Sequence, residues 1–128
     1  MEKQMPYGLK ITFLVHFIVA LILGLVYLLI PDVYASLTAF PVQEPAMSLT
    51  RILGAAILGF ATSSWFAYRE TLWERVKIVV QMEIVWAILG VLAIAWGLIF
   101  AGFPAIHWMN VAILLAFAIA FIIFYSRK

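Results

Sequence analysis

The chain contains no cysteine among its 128 residues, has only two histidines, and is 11% charged. Without thiols there are no disulfides, thiolate metal sites or cysteine nucleophiles, and two histidines cannot build a multi-histidine metal centre. The shortage of charge says more. An ordinary soluble domain is about 25% charged and roughly 45–50% apolar, whereas 67% of this chain is hydrophobic and its mean hydropathy is +1.15. A water-soluble core of this size cannot hide two-thirds of its residues, so the composition calls for a lipid bilayer as solvent. The sequence also lacks a nucleotide-binding loop, an HExxH motif, a nucleophile elbow and any nucleic-acid motif. The net charge of +2 is explained by membrane insertion and anionic lipid, without a nucleic-acid partner. No motif implies a cofactor or a metal, and whether the chain is an enzyme is left open, with a non-enzymatic role favoured. Strand-like alternation with turn signals is missing too, which argues against a β-barrel.

Four apolar runs are present, each about as long as a membrane helix needs to be. They cover residues 11–30, 52–68, 78–100 and 106–125. The first is 20 residues long, beyond the 7–15 of a signal-peptide core, and is read as a span. The expected fold is therefore all-α: a single polytopic membrane domain, an antiparallel bundle of four transmembrane helices. Lysine and arginine set its orientation, since short cytoplasmic loops carry the excess of positive charge. Lys3, Lys10, Arg69, Arg75, Lys77, Arg127 and Lys128 all fall on one side if both termini are cytoplasmic, leaving Arg51 at the outer boundary. This predicts a cell-membrane protein with both termini inside and a long outer loop spanning residues 31–50. Residues 32–40 of that loop are expected to form a short interfacial helix, with Ser48 capping span two. Thr71 and Glu74 have capping-box spacing before span three. The short inner loop predicts spans two and three as an antiparallel hairpin.

Helices in lipid associate through close packing and polar contacts, favouring small residues at their seams. Glu83, Ala87, Gly90, Ile94 and Gly97 fall within about 40° of one line on span three. Ala55 and Gly59 have small-xxx-small spacing on span two, with Gly54 beside them, and Thr12, His16, Ala20, Leu23 and Tyr27 align on span one. Helix packing is the expected use of these stripes.

Glu83 is the sharpest candidate for chemistry. An ionisable group inside a membrane helix is costly and normally faces the bundle interior, a cavity or a partner. It lies six residues past Lys77, and His16 lies six past Lys10, a similar depth of roughly 9 Å at 1.5 Å per residue. The two are expected to meet, with Gln81 and the Thr62-Ser63-Ser64 run, Ser63 included, completing a polar layer for substrate binding or proton relay. A structural hydrogen-bonded cluster and a glutamate reaching the headgroups are the alternatives. One histidine and one carboxylate are too few ligands for a metal. On the outer side, Arg51 opposes the dipole of span two. Its expected partner is a lipid phosphate, a salt bridge to Asp32 or Glu44, or an anionic substrate. His107, Trp108 and Asn110 are expected to anchor or cap span four.

The stretch Arg51-Ile52-Leu53-Gly54-Ala55-Ala56-Ile57-Leu58-Gly59 resembles the second helix of the small four-helix integral membrane proteins of the DoxX-like type. That resemblance implies a four-helix bundle and association with a membrane redox complex. The small multidrug transporters are of similar size but carry an essential glutamate in their first span, where this chain has His16. Three functions are expected. The first is a non-enzymatic bundle that forms a homo-oligomer or serves as an accessory subunit. The second is a small transporter or channel using the layer around Glu83 and His16. The third is a membrane enzyme or a lipid- or quinone-binding protein whose apolar ligand enters between helices.

Overall fold

In lipid the backbone must satisfy its own hydrogen bonds, and the apolar runs do so as helices. The computed structural model describes residues 1–40 and 43–127. Helix α1 spans Tyr7–Leu29, α2 Pro31–Leu37, α3 Ala46–Arg69, α4 Trp73–Phe100 and α5 Trp108–Ser126, the last preceded by a single 3-10 turn, Ala105–His107. α1, α3, α4 and α5 with its preceding turn are each long and apolar enough to cross a membrane. No strand occurs among the described residues. Each of the four expected runs is covered by one such helix; α1, α3 and α4 begin four to six residues before their runs, while the fourth differs from its run by one residue at each end.

The arrangement follows from which faces are small. α1 lies along α3 and α4 along α5; α1 also meets α5, while α3 and α4 touch only sparingly. The short connector from Arg69 to Trp73 therefore joins two antiparallel helices that diverge, not the packed hairpin its length suggested. The segment before α1, the last turn of α5 and this connector lie together. Met5 N–H donates to the Thr71 carbonyl at 2.8 Å, and Trp73 N–H to the Lys3 carbonyl at 2.9 Å, forming an isolated bridge between Gln4 and Leu72. This will be called the terminal end, and the opposite one the far end.

That bridge also displaces the expected capping box. α4 starts at Trp73, its N-cap Leu72 is extended, and no side chain caps it. The N-terminal segment has already satisfied one of the helix's free donors, so Thr71 has no need to. At the far end Ser48 does not cap α3 but sits within its first turn, and Glu44 accepts from the Ser48 N–H at 3.3 Å and from its hydroxyl at 2.6 Å. α4 ends where Gly102, at φ +71, turns the chain; the Phe103 N–H returns to the Gly97 carbonyl, and the Phe103 ring lies on Gly97. Any Cβ at Gly97 would meet that ring at 2.6 Å.

Along the bundle axis the interior has layers. At the terminal end Leu9, Phe13, Ala67, Trp73, Val76, Val80 and Phe121 form a close-packed apolar plug. Beyond it lies a polar layer, then a cavity, then a second polar group beneath α2, whose Pro31 and Ala35 are buried against the far end.

Candidate functional site

The buried residues of α1 recur at three- and four-residue intervals, Leu9, Phe13, His16, Ala20 and Gly24, and those of α4 do the same through Val76, Val80, Glu83 and Ala87. That is the helical period of a single inward face. It carries His16 and Glu83 to one level, where α3 contributes Ser64. His16 Nε2 lies 3.2 Å from Glu83 Oε2, His16 Nδ1 lies 2.7 Å from Ser64 Oγ, and the Ser64 hydroxyl donates to Glu83 Oε1 at 3.3 Å. His16 is 6% exposed, Glu83 1% and Ser64 0%.

Proton counting shows what this closed ring of contacts holds. Each contact needs one hydrogen. Ser64 supplies one, so the histidine and glutamate together must carry two between them. The pair is then a neutral imidazole with a carboxylic acid, or an imidazolium with a carboxylate. In both states the cluster is uncharged as a whole, which is what hydrocarbon surroundings require of buried ionisable groups. The Phe117 ring sits edge-on to His16 at 4.9 Å between centroids, and Phe121 at 6.0 Å. Serine, histidine and a carboxylate in contact are the residue types of a hydrolytic triad. Here, however, the serine is sealed from solvent and spends its proton on the glutamate, so no nucleophile is presented.

Above this layer a cavity of about 460 Å³ lies between the α1/α3 pair and the α4/α5 pair. Apart from His16, Tyr27, Trp86 and Asn110, every residue lining it is a hydrocarbon side chain or glycine. Leu53 of α3 and Leu89 of α4 line it while remaining 40% and 59% exposed, so the cavity runs out sideways where those two helices part. Phe60 and Trp86 bridge the same gap at 4.8 Å between ring centroids.

The cavity's far end carries a second hydrogen-bonded group. Tyr27 Oη donates to Tyr34 Oη at 3.0 Å, Asn110 Nδ2 donates to Tyr34 Oη at 3.2 Å, and Asn110 Nδ2 lies 3.1 Å from His107 Nδ1. His107 is buried against Phe40 and Phe103, and its Nε2 has no hydrogen-bond partner among the described residues. His107 and Asn110 thus belong to an interior network that reaches across to α2, in place of the simple capping expected of them.

The structure therefore brings together His16 and Glu83, as their matched depths predicted. Ser63 is not the serine that joins them. It lies nine residues from Gly54, about 180° around the helix from the α1 contact, whereas Ser64 lies only about 80° away. Gln81 also falls outside the layer: its exposed amide donates to Tyr125 Oη on α5 at 2.9 Å. Arg51 pairs with Glu44 at 3.3 Å, and Asp32 instead occupies the first turn of α2, where the helix dipole favours an anion. Sequence reasoning did not single out Ser64, Asn110 or Tyr27 as a set. Their shared signal is a polar group in line with a small or buried residue one or two turns away.

Glu44 yields a pH prediction. The Ser48 hydroxyl, helped by the Ser48 N–H and Arg51, holds its carboxyl below the ordinary value of 4.5. A carboxyl lowered in the folded state contributes stability above its ordinary value and loses it as the pH falls through the lowered one. Because the group is fully exposed, the effect is confined to the first turn of α3. Amide hydrogen exchange at residues 47–49 should accelerate, beyond its intrinsic pH dependence, on acidification below 4.5. Glu44→Gln should abolish that extra step, and an unchanged profile in the variant would refute it. Compared with protein-family models, curated proteins and solved structures, the chain matches none.

Proposed function

We propose that this chain is an intramembrane binding protein for an apolar, lipid-like ligand that enters sideways between α3 and α4. The observation that carries this reading is the cavity. Its volume of about 460 Å³ falls within the 300–1,000 Å³ typical of small-molecule sites. It is almost wholly apolar, and it opens where the two helices part. The apolar-ligand expectation needed an intramembrane space touching both His16 and Glu83; the lining includes His16 and supports that half of it, whereas Glu83 does not line the cavity and stands behind His16, one hydrogen bond removed from the ligand. A transport path through Glu83 draws less support, since the plug of Leu9, Phe13, Trp73 and Phe121 packs the bundle on its terminal side.

The same reading places both termini in the cytoplasm. Its support is the clustering of Lys3, Arg69, Arg75, Lys77 and Arg127 around the terminal end, with Arg51 at the other.

The test is ligand-dependent stability. Protein purified in mild detergent should carry a neutral lipid identifiable by extraction and mass spectrometry, and removing it should lower the melting temperature. Re-addition at a hundredfold excess over Kd should restore about 2.7 kcal/mol. Ala93→Phe, which places a ring at a cavity-lining position already open to the lipid, should fold normally and lose that response. Equal stabilisation of the variant and the unmodified chain would overturn the assignment.

A further inference from the structure

We propose that the ligand is a single-chain neutral lipid bearing a hydroxyl group, held with that hydroxyl at the far end of the cavity against Asn110 and its chain directed toward His16. This inference rests on the reading of the cavity as a ligand site and adds the chemistry and direction of what fills it.

Three observations converge. The first is width. From His16 to Tyr27 is eleven residues of α1, about 16 Å at 1.5 Å per residue, so about 460 Å³ gives a mean cross-section on the order of 30 Å². That section accommodates a single hydrocarbon chain. The second is charge. No lysine, arginine, aspartate or glutamate lines the cavity. A phosphate, carboxylate or ammonium head would have to shed its water there without a counter-charge, a cost far above anything hydrocarbon contact returns.

The third is the supply of hydrogen-bonding atoms at the two ends. At the terminal-side end His16 is the polar lining residue, and both its nitrogens are committed, Nδ1 to Ser64 and Nε2 to Glu83. A head group placed there would have to break the closed cluster. At the far end Asn110 has spent its amide hydrogens on Tyr34 Oη and His107 Nδ1, but its Oδ1 accepts nothing among the described residues. An acceptor left over in an apolar cavity calls for a donor. The Tyr27 and Tyr34 hydroxyls spend one hydrogen on their mutual contact and keep the other, so a hydroxyl, donor and acceptor at once, serves both spare groups, whereas a ketone, ester or ether cannot serve Asn110 Oδ1. The neighbouring Tyr27 hydroxyl adds a second polar group at that end, and between it and His16 the rest of the molecule meets hydrocarbon and the Trp86 ring.

Three sixteen-carbon probes separate the possibilities: hexadecan-1-ol, its methyl ether, and hexadecanoate. Binding is read as thermal stabilisation of the full chain in maltoside micelles. The alcohol should bind about tenfold more tightly than the ether, the ratio expected when one buried hydrogen bond is lost. Ionised hexadecanoate should bind worst. Equal affinity for alcohol and ether overturns the hydroxyl assignment while leaving the cavity reading standing. Failure of all three probes to bind overturns the cavity reading itself. Asn110→Leu should bring the alcohol down to the level of the ether, and a retained preference would place the hydroxyl elsewhere. Should that variant fail to fold, an alcohol carrying a photoreactive diazirine beside its hydroxyl decides on the unmodified chain. Labelling at residues near Asn110 and Tyr27 supports the orientation, and labelling around His16 and Phe117 reverses it.

Discussion

Glu83→Ala should be among the most destabilising substitutions in the chain, costing about 2–3 kcal/mol in a reversible unfolding titration from mild detergent into sodium dodecyl sulfate. Single hydrogen bonds between membrane helices are worth on average ~0.6 and at most ~1.7 kcal/mol, because the unfolded helices also find partners in lipid. Glu83 makes two contacts, to His16 and Ser64, and both are sealed at the centre of three helices. Removing it also strands the His16 Nε2 nitrogen without solvent, and a stranded group costs more than the lost bond returned. Glu83→Gln should cost well under 1 kcal/mol, since the amide can accept from Ser64 and donate to a neutral His16. The double variant His16→Leu, Glu83→Leu should cost less than the two single leucine variants added together. With both polar partners gone, Ser64 can turn its hydroxyl to the carbonyl four residues back on α3, and nothing remains uncompensated. Strict additivity of the two leucine variants would show that the contact between His16 and Glu83 carries no coupling.

How far the sequence foretold this layer can be judged residue by residue. Four spans were legible because charge, Pro and Gly punctuate the apolar runs, and the bilayer leaves helices as the ready solution for such runs. The meeting of His16 with Glu83 was legible from depth alone: each lies six residues past a lysine on helices running the same way. Rotation was harder. In a helix exposed to lipid on one side and apolar all round, hydrophobic periodicity no longer marks the inward face, so Ser63 and Ser64 could not be told apart. The same blindness left Ala55 and Gly59, with Gly54 beside them, as seam candidates on α3; the structure leaves the first two exposed and buries Gly54 in the contact. The weak contact between α3 and α4 was also hidden, because a short connector fixes that two helices are neighbours in sequence and antiparallel, and says nothing of how far they splay. The cavity follows from that splay, so no residue motif announces it.

Gly54 offers the clearest test of the corrected seam, and its replacement by leucine should be as damaging as the loss of Glu83. A Cβ at Gly54 would stand 2.6 Å from the Leu28 backbone nitrogen, 2.9 Å from the Gly24 carbonyl oxygen and 2.9 Å from Tyr27 Cβ. None of these is the tip of a flexible side chain, so the clash can be relieved only by moving α1 away from α3. Gly24 faces the same contact from the other helix, with Gly54 O 3.1 Å from where its own Cβ would be. Such paired glycines let two backbones approach closely, and in lipid that closeness supplies most of the attraction between helices. Overpacking costs about 1–3 kcal/mol where neighbours can adjust. Here alanine should fall near that range and leucine at about 3 kcal/mol or beyond it. Gly59 is the internal control. Nothing lies within 4 Å of a Cβ there, so Gly59→Ala should be neutral or should stabilise by up to about 1 kcal/mol through helix propensity alone. Parting α1 from α3 would also shift Tyr27 relative to Asn110, so Gly54→Ala should weaken ligand stabilisation out of proportion to its effect on folding, and Gly59→Ala should not. Equal unfolding free energies for Gly54→Leu and Gly59→Leu would return the seam to the face that Ala55 and Gly59 share and remove the geometric basis of the cavity's far end.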